Sequence, residues 1–101
     1  MKLRVRSSQD LHLNPGSRAV VEKRIRLAIG IRANEIESLQ LELRLRPNSP
    51  RPIRCCVSMI CSDGARSRLE EDAESIQEAV DWAAWRVRHA LGRHSLRTYP
   101  R

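Results

Sequence analysis

Leu39, Leu41, Leu43 and Leu45 alternate with Gln40, Glu42, Arg44 and Arg46. A period of two over that length makes a strand with one dry face and one wet face. Leucine is not a strong strand former, so the alternation decides the assignment and propensity does not. Such a strand needs neighbours to pair with and a layer to cover its dry side. Lys2 to Arg6 alternates in the same way, with Leu3 and Val5 inward. Beyond the loop Pro47-Asn48-Ser49-Pro50, residues Ile53, Cys55, Val57, Met59 and Cys61 form the inner face of a third strand. Asp63-Gly64 is a hairpin signal that returns the chain through Ala65 to about Glu70.

Two stretches switch to the helical period. Asn14-Pro15 supplies a capping side chain followed by proline at the first helical position, and Gly30 offers a stop after Ile29. Val20, Val21, Ile25, Leu27 and Ala28 are expected on the buried side of this helix. Arg18, Lys23 and Arg26 lie outside it, and Arg24 stands at the margin of the apolar arc. The second helix is expected from Ser75 to about Gly92, capped by Asp72 or Ser75. There Ile76, Ala79, Val80, Ala83, Ala84, Val87, Ala90 and Leu91 make one apolar stripe. The opposite side collects Trp82, Trp85, Arg86, His89 and Arg93.

The order strand, helix, three strands, helix is broken by no repeat or interdomain linker. A right-handed crossover makes the first two strands parallel neighbours, and the others meander antiparallel. The sequence therefore predicts an α+β two-layer sandwich, β-α-β-β-β-α, with a four-stranded mixed sheet and two helices on one face. One domain is expected over residues 1–94, followed by a flexible basic tail over 95–101 that contains Pro100.

The chain of 101 residues carries 19 Lys+Arg against 12 Asp+Glu, a formal net charge of +7. That balance favours polyanions, nucleic acid or an anionic membrane surface, although an Arg-rich solvated surface gives the same total. Acids crowd into Glu70 to Asp81 and none follows, so the end of the last helix is purely basic. No stretch reaches the roughly 18 apolar residues of a membrane span, and no apolar signal core follows the N-terminus. A cytoplasmic protein with reduced thiols is expected. Cys55 and Cys56 are adjacent in a strand and point to opposite faces, which leaves them unsuited to one metal. Cys55 and Cys61 read as core. No metal and no cofactor is expected, and no enzyme, since the chain has neither a phosphate loop nor a nucleophile with an identifiable base.

Flat apolar rings mixed with cations suit bases, sugars and phosphates. Arg18, Arg24, Arg86 and Arg93 come from two helices that the fold would set side by side. With Lys23, Arg26 and His89 they are the candidate RNA-binding residues, and a solvated face is the alternative. Trp82 and Trp85 are candidates for stacking or for an interface, but aromatics at helical spacing are more often packing, so at least one is expected to be structural. Arg4, Arg6, Arg44, Arg66 and Arg68 would decorate the open sheet face, where pairing with Glu42 and Glu70 is the simpler account.

The element order and the final helix resemble the ribosome hibernation promoting factor family, also called ribosome-associated inhibitor or ribosomal subunit interface proteins. The resemblance runs from about Met1 to His94. It is best at Glu78-Ala79-Val80-Asp81 and the basic, apolar helix that follows, where Arg86, His89 and Arg93 fall at the family's basic positions. In the first helix, Arg18 and Arg24-Ile25 look like the family's Arg and its Lys/Arg-Leu. The chain departs from the pattern at Ser75, Ile76 and Gln77, where members usually have Asp, Met and Tyr. It also departs at the bulky Trp82 and Trp85, and in a first helix without aromatics. The resemblance implies a translation inhibitor that binds the small ribosomal subunit through rRNA, across the channel for messenger and transfer RNA, and protects idle ribosomes. Long members add a domain that pairs ribosomes, so this chain looks like a short form or an isolated N-terminal domain. Two other readings compete with it. One is a basic protein-interaction or oligomerisation module anchored by tryptophan. The other is a generic double-stranded RNA binder, a type of domain that lacks the strand at Lys2 to Arg6.

Overall fold

A computed structural model describes residues 1–98, with side chains through residue 91. The elements are β1 (Lys2–Ser7), α1 (Pro15–Ile29), a 3-10 segment (Gly30–Glu35), β2 (Ile36–Leu45), β3 (Ile53–Cys61), β4 (Arg66–Ala73) and α2 (Ile76–Thr98). The sheet order is β1-β2-β3-β4. β1 runs parallel to β2, and the other pairs are antiparallel. Both helices cover the same face of the sheet and pack on each other, α1 over β1 and α2 over β3 and β4. This is the expected two-layer α+β sandwich.

Local signals place the helix ends. The Asn14 side chain accepts from the Ser17 amide at 2.7 Å, Pro15 opens α1, and Gly30 closes it with φ of 60°. Ser75 begins α2: its Oγ accepts from the Glu78 amide at 3.1 Å, and the Glu78 carboxylate accepts from the Glu74 amide at 3.3 Å. This is close to the reciprocal Ser-x-x-Glu cap. Asp72, the other cap considered, is instead bound by arginines on the sheet. α2 continues past Gly92 to Thr98, so the helix takes in Ser95 to Thr98, which were expected in the tail. No helix breaker stands there before Pro100, and cations in the last turns suit the helix dipole. The rest of the expected tail, residues 99–101, lies outside the described residues.

The core joins the dry faces. Ile25, Ile36, Leu41, Leu43, Val80 and Leu91 are fully buried, with Cys55 and Cys61 among them as expected. Each large aliphatic side chain removed from water contributes about 1.5–3 kcal/mol. β2 starts earlier than the leucine alternation indicates. A register shift between Ile36 and Ser38 inserts Glu37 as a bulge, which turns Ile36 onto the dry face out of strict alternation.

The buried arc of α1 is narrower than expected. Val21, Ile25 and Ile29 are buried, but Val20 is 65% and Leu27 72% exposed. Val20 and Leu27 share a stripe that looks across to α2, where the facing positions include Gln77, Asp81 and Ala84. The groove between the helices stays open, with Ile76 and Val80 beside Val20 and Trp85 beside Leu27, so neither aliphatic is covered. Trp82, assigned to the outer face by the sequence, is half-buried and packs against the core.

Candidate nucleic-acid interface

α1 and α2 run parallel, because each follows a strand of the same direction. The start of α1 at Ser17 and Val20 lies beside Ile76, Gln77 and Val80, and its end at Leu27 to Ile31 lies beside Trp85, Arg88 and His89. The negative dipole end of α1 therefore lies beside the middle of α2, which favours cations there. Arg26, Arg32, Arg86 and Arg88 supply them. Arg32 serves the fold: its guanidinium donates to both Glu35 carboxylate oxygens at 2.8 and 3.0 Å and to the Leu91 carbonyl at 3.0 Å. It clamps the segment after α1 onto α2, and nothing in the hydropathy pattern of the sequence singles it out.

The candidate residues do not form a single patch. Residues advance by about 100° each around a helix. Arg26 consequently projects from the flank of α1 turned away from α2, Arg18 lies one turn before Val21 on the side nearer the sheet, and Lys23 stands on the outer crest. Arg86 projects from the flank of α2 turned away from α1. Of the candidate arginines and the lysine on α1, Arg24 faces the partner helix, and its Nε lies 3.0 Å from Asp81 Oδ1 across the groove, both side chains about half exposed. This pair divides the groove into an upper part lined by Val20, Ile76 and Gln77 and a lower part lined by Leu27, Ile31, Trp85 and His89.

The lower part carries the ring system. Trp85 is 58% exposed and stacks on His89, with ring centroids 5.1 Å apart and planes 7° from parallel. The Arg86 guanidinium carbon lies 5.8 Å from the Trp85 centroid, within cation–π reach. A flat ring pair edged by Arg86 and Arg88 can stack on a base and hold phosphates beside it. Arg93 belongs to α2, but its side chain lies outside the described residues.

The open sheet face is organised by register. Across the strands the rows read Lys2–Ser38–Ile60–Arg66, then Arg4–Gln40–Ser58–Arg68, then Arg6–Glu42–Cys56–Glu70, then Arg44–Arg54–Asp72. The last two rows form an ion network. Asp72 takes Arg54 at 3.0 Å and Arg46 at 3.2 Å, Glu42 takes Arg44 at 2.7 Å, and Glu70 takes Arg54 at 3.7 Å. Arg51, from the β2–β3 loop, adds a bond to the Asp72 carbonyl at 2.9 Å and an ion pair with Glu78. The hydrogen bond from Arg54, and then the charges of Arg54 and Arg46, hold the Asp72 carboxyl below its usual range. Cys56 lies on this face, as expected, yet is buried among the network's neighbours at 8% exposure. Burial pushes the Cys55 thiol on the core side up to about 12. Among the described residues, no group of three His, Cys, Asp or Glu is placed to hold a metal ion, and no helix is long and apolar enough to cross a membrane.

No family model matches the sequence, and no curated protein does. Solved structures do match the fold. A ribosomal subunit interface protein from Coxiella burnetii is similar over 95% of this chain and 99% of its own, with a TM-score of 0.76 at 14% identity. The N-terminal domain of Protein Y from Thermus thermophilus is similar over 93% of this chain and 99% of its own, with a TM-score of 0.72 at 20% identity. At these identities the likeness is one of fold, over nearly the whole chain.

Proposed function

We propose that this protein is a ribosome-associated factor that binds the small subunit through rRNA and holds translation off, acting in the cytoplasm as a binding protein and not as an enzyme. One observation carries the reading: the whole described fold, not a fragment of it, is shared with a protein named for the ribosomal subunit interface. The net charge of +7 and the cations around the end of α1 and the middle of α2 agree with a polyanionic partner. On this reading Trp85, His89 and Arg86 make the central contact. Arg93 follows on α2, Lys23 and Arg26 add cations from α1, and Arg18 makes a separate contact at the opposite end of that helix. Arg24 exchanges its exposed Asp81 partner for a phosphate.

Sucrose-gradient sedimentation of lysate containing tagged protein tests this. The protein is expected with small subunits or intact ribosomes at low salt, and at the top of the gradient at high salt, since phosphate contacts release counterions. Protein that stays at the top at low salt refutes the ribosomal reading. A protein-interaction module remains the second reading, because Val20, Leu27, Ile31 and Trp85 are all exposed on the helical side. It predicts a complex that survives high salt.

A further inference from the structure

The end of the open sheet face bounded by the bulge at Glu37 and the turn at Asp63 has no part in the helical site. Its first two rows set Lys2 and Arg4 on β1 and Arg66 and Arg68 on β4, at the two edges of the sheet. Between them lies an uncharged floor of Ser38, Gln40, Ser58 and Ile60, recessed beside Arg66 and Arg68. Among the described residues, Lys2, Arg4 and Arg66 have no acid within ion-pair distance, and Arg68 reaches only Glu70, at 3.4 Å. Asp63, in the turn at the mouth, accepts from the Ala65 amide within its own hairpin.

We propose that this cradle is a second RNA-binding surface that holds the sugar–phosphate backbone of one strand. The edge cations stand about 14 Å apart across three strand spacings, and successive rows about 6.6 Å apart, so a strand laid along the floor meets cations on both sides. The hydroxyls of Ser38 and Ser58 and the amide of Gln40 both donate and accept, which suits ribose 2′-hydroxyls. Among the described residues no aromatic ring stands on the floor, so bases are not stacked there, and the contact is independent of sequence and strongly dependent on salt. Nor does the floor offer a protruding apolar side chain to a bilayer, since Ile60 is half-buried. Together with the helical site on the opposite side of the sandwich, this surface lets one domain touch two RNA segments at once. The proposal does not rest on the ribosomal reading, because any RNA strand will serve as the probe.

Fluorescence anisotropy with labelled oligouridylate, between about 50 and 200 mM salt, tests it. The triple variant Lys2→Gln/Arg4→Gln/Arg66→Gln is expected to bind about tenfold more weakly. Its salt slope should shrink by about 2, from roughly 0.7 per lost phosphate contact on a single strand. Gln40→Glu, which puts a negative charge in the floor and removes no cation, should weaken binding several-fold. Arg44→Gln, at the paired end, should change it less than about twofold. If the triple variant does not fold, Arg66→Gln and Gln40→Glu carry the test. Unchanged affinity and slope in the folded variants overturn the proposal. So does tighter, residue-dependent binding to phosphatidylserine vesicles than to RNA, which would assign the face to a membrane.

Discussion

The two faces of this sandwich hold similar cations and arrange them in opposite ways. On the helices, the turn of about 100° per residue disperses neighbouring arginines: Arg18 and Arg86 point away from the shared groove, and Arg24 points into it and meets Asp81. On the sheet, alternation puts Lys2, Arg4 and Arg6 on one plane, and register aligns them with residues far away in sequence. The acids of β4 then decide what the alignment means. Where Asp72 and Glu70 stand opposite arginines, the face is an ion network. Two rows further on, the same strands carry only cations. Net charge cannot separate these cases, and cross-strand register can.

The largest effect should come from the layer both faces depend on. Ala83 is 1% exposed beneath α2. Ala83→Asp buries an unpaired charge and should cost about 3 kcal/mol or more. Thermal unfolding reads this directly, and both faces should lose RNA together. A variant that melts normally would mean that α2 is not seated on the sheet as described.

That seating was legible in the sequence, because the stripe from Ile76 to Leu91 and the alternation from Leu39 to Leu45 are long and regular. Short segments whose partners are distant were not. Ile36 reaches the core only through the bulge at Glu37. Val20 and Leu27 look buried until the open groove between α1 and α2 is known. At the candidate site the residue types were legible but their grouping was not. Placing Arg18, Arg24 and Arg86 in one patch required knowing which flank each helix turns to the other. The pairing expected on the open face holds for Arg44 and Arg68, and Arg54 joins it although the pattern did not single it out. It fails for Arg4 and Arg66, whose rows contain no acid, and Arg6 forms no ion pair among the described residues although Glu42 and Glu70 share its row.

The paired end of the sheet should be sensitive to acid in a way the cationic end is not. Asp72 is held below the usual carboxylate range, so the stability it contributes is present in full above its unfolded value of about 3.9. That contribution is lost as pH falls through the lower folded value. The melting temperature should therefore drop between about pH 4 and pH 2, with a shallower drop in Asp72→Asn. Parallel profiles for the two proteins would show that the network does not stabilise the sheet. Thiol labelling separates the same regions: Cys55 should resist iodoacetamide in both proteins, while Cys56 should become reactive in Asp72→Asn. Equal protection of Cys56 in the variant would mean that the arginine network does not shield it.

Across the helices the expected coupling is smaller. Arg24 and Asp81 form an exposed pair, so a double-mutant cycle with Arg24→Ala and Asp81→Ala should give about 0.2–1 kcal/mol. A coupling above about 2 kcal/mol would make the pair a structural clamp and remove Arg24 from the candidate RNA contacts.

Trp85 should matter most to telling the two faces apart. Because 58% of it is already exposed, Trp85→Ala removes only part of a buried ring and should cost about 1–2 kcal/mol, less than Ala83→Asp. Trp82 is half-buried against the core and should remain as a bluer emitter that iodide quenches poorly. In the native protein, RNA on the helical face should stack on or shield Trp85 and change its emission. RNA on the sheet cradle, on the other side of the sandwich, should leave that emission alone. Titrating oligouridylate into Lys2→Gln/Arg4→Gln/Arg66→Gln should therefore keep the Trp85 signal while losing part of the total binding. The converse variant, Arg86→Ala/Arg88→Ala, should lose the signal and keep cradle binding. If the cradle variant abolishes the Trp85 response, the two faces are not separate sites, and a single strand must wrap the edge of the sandwich to reach both.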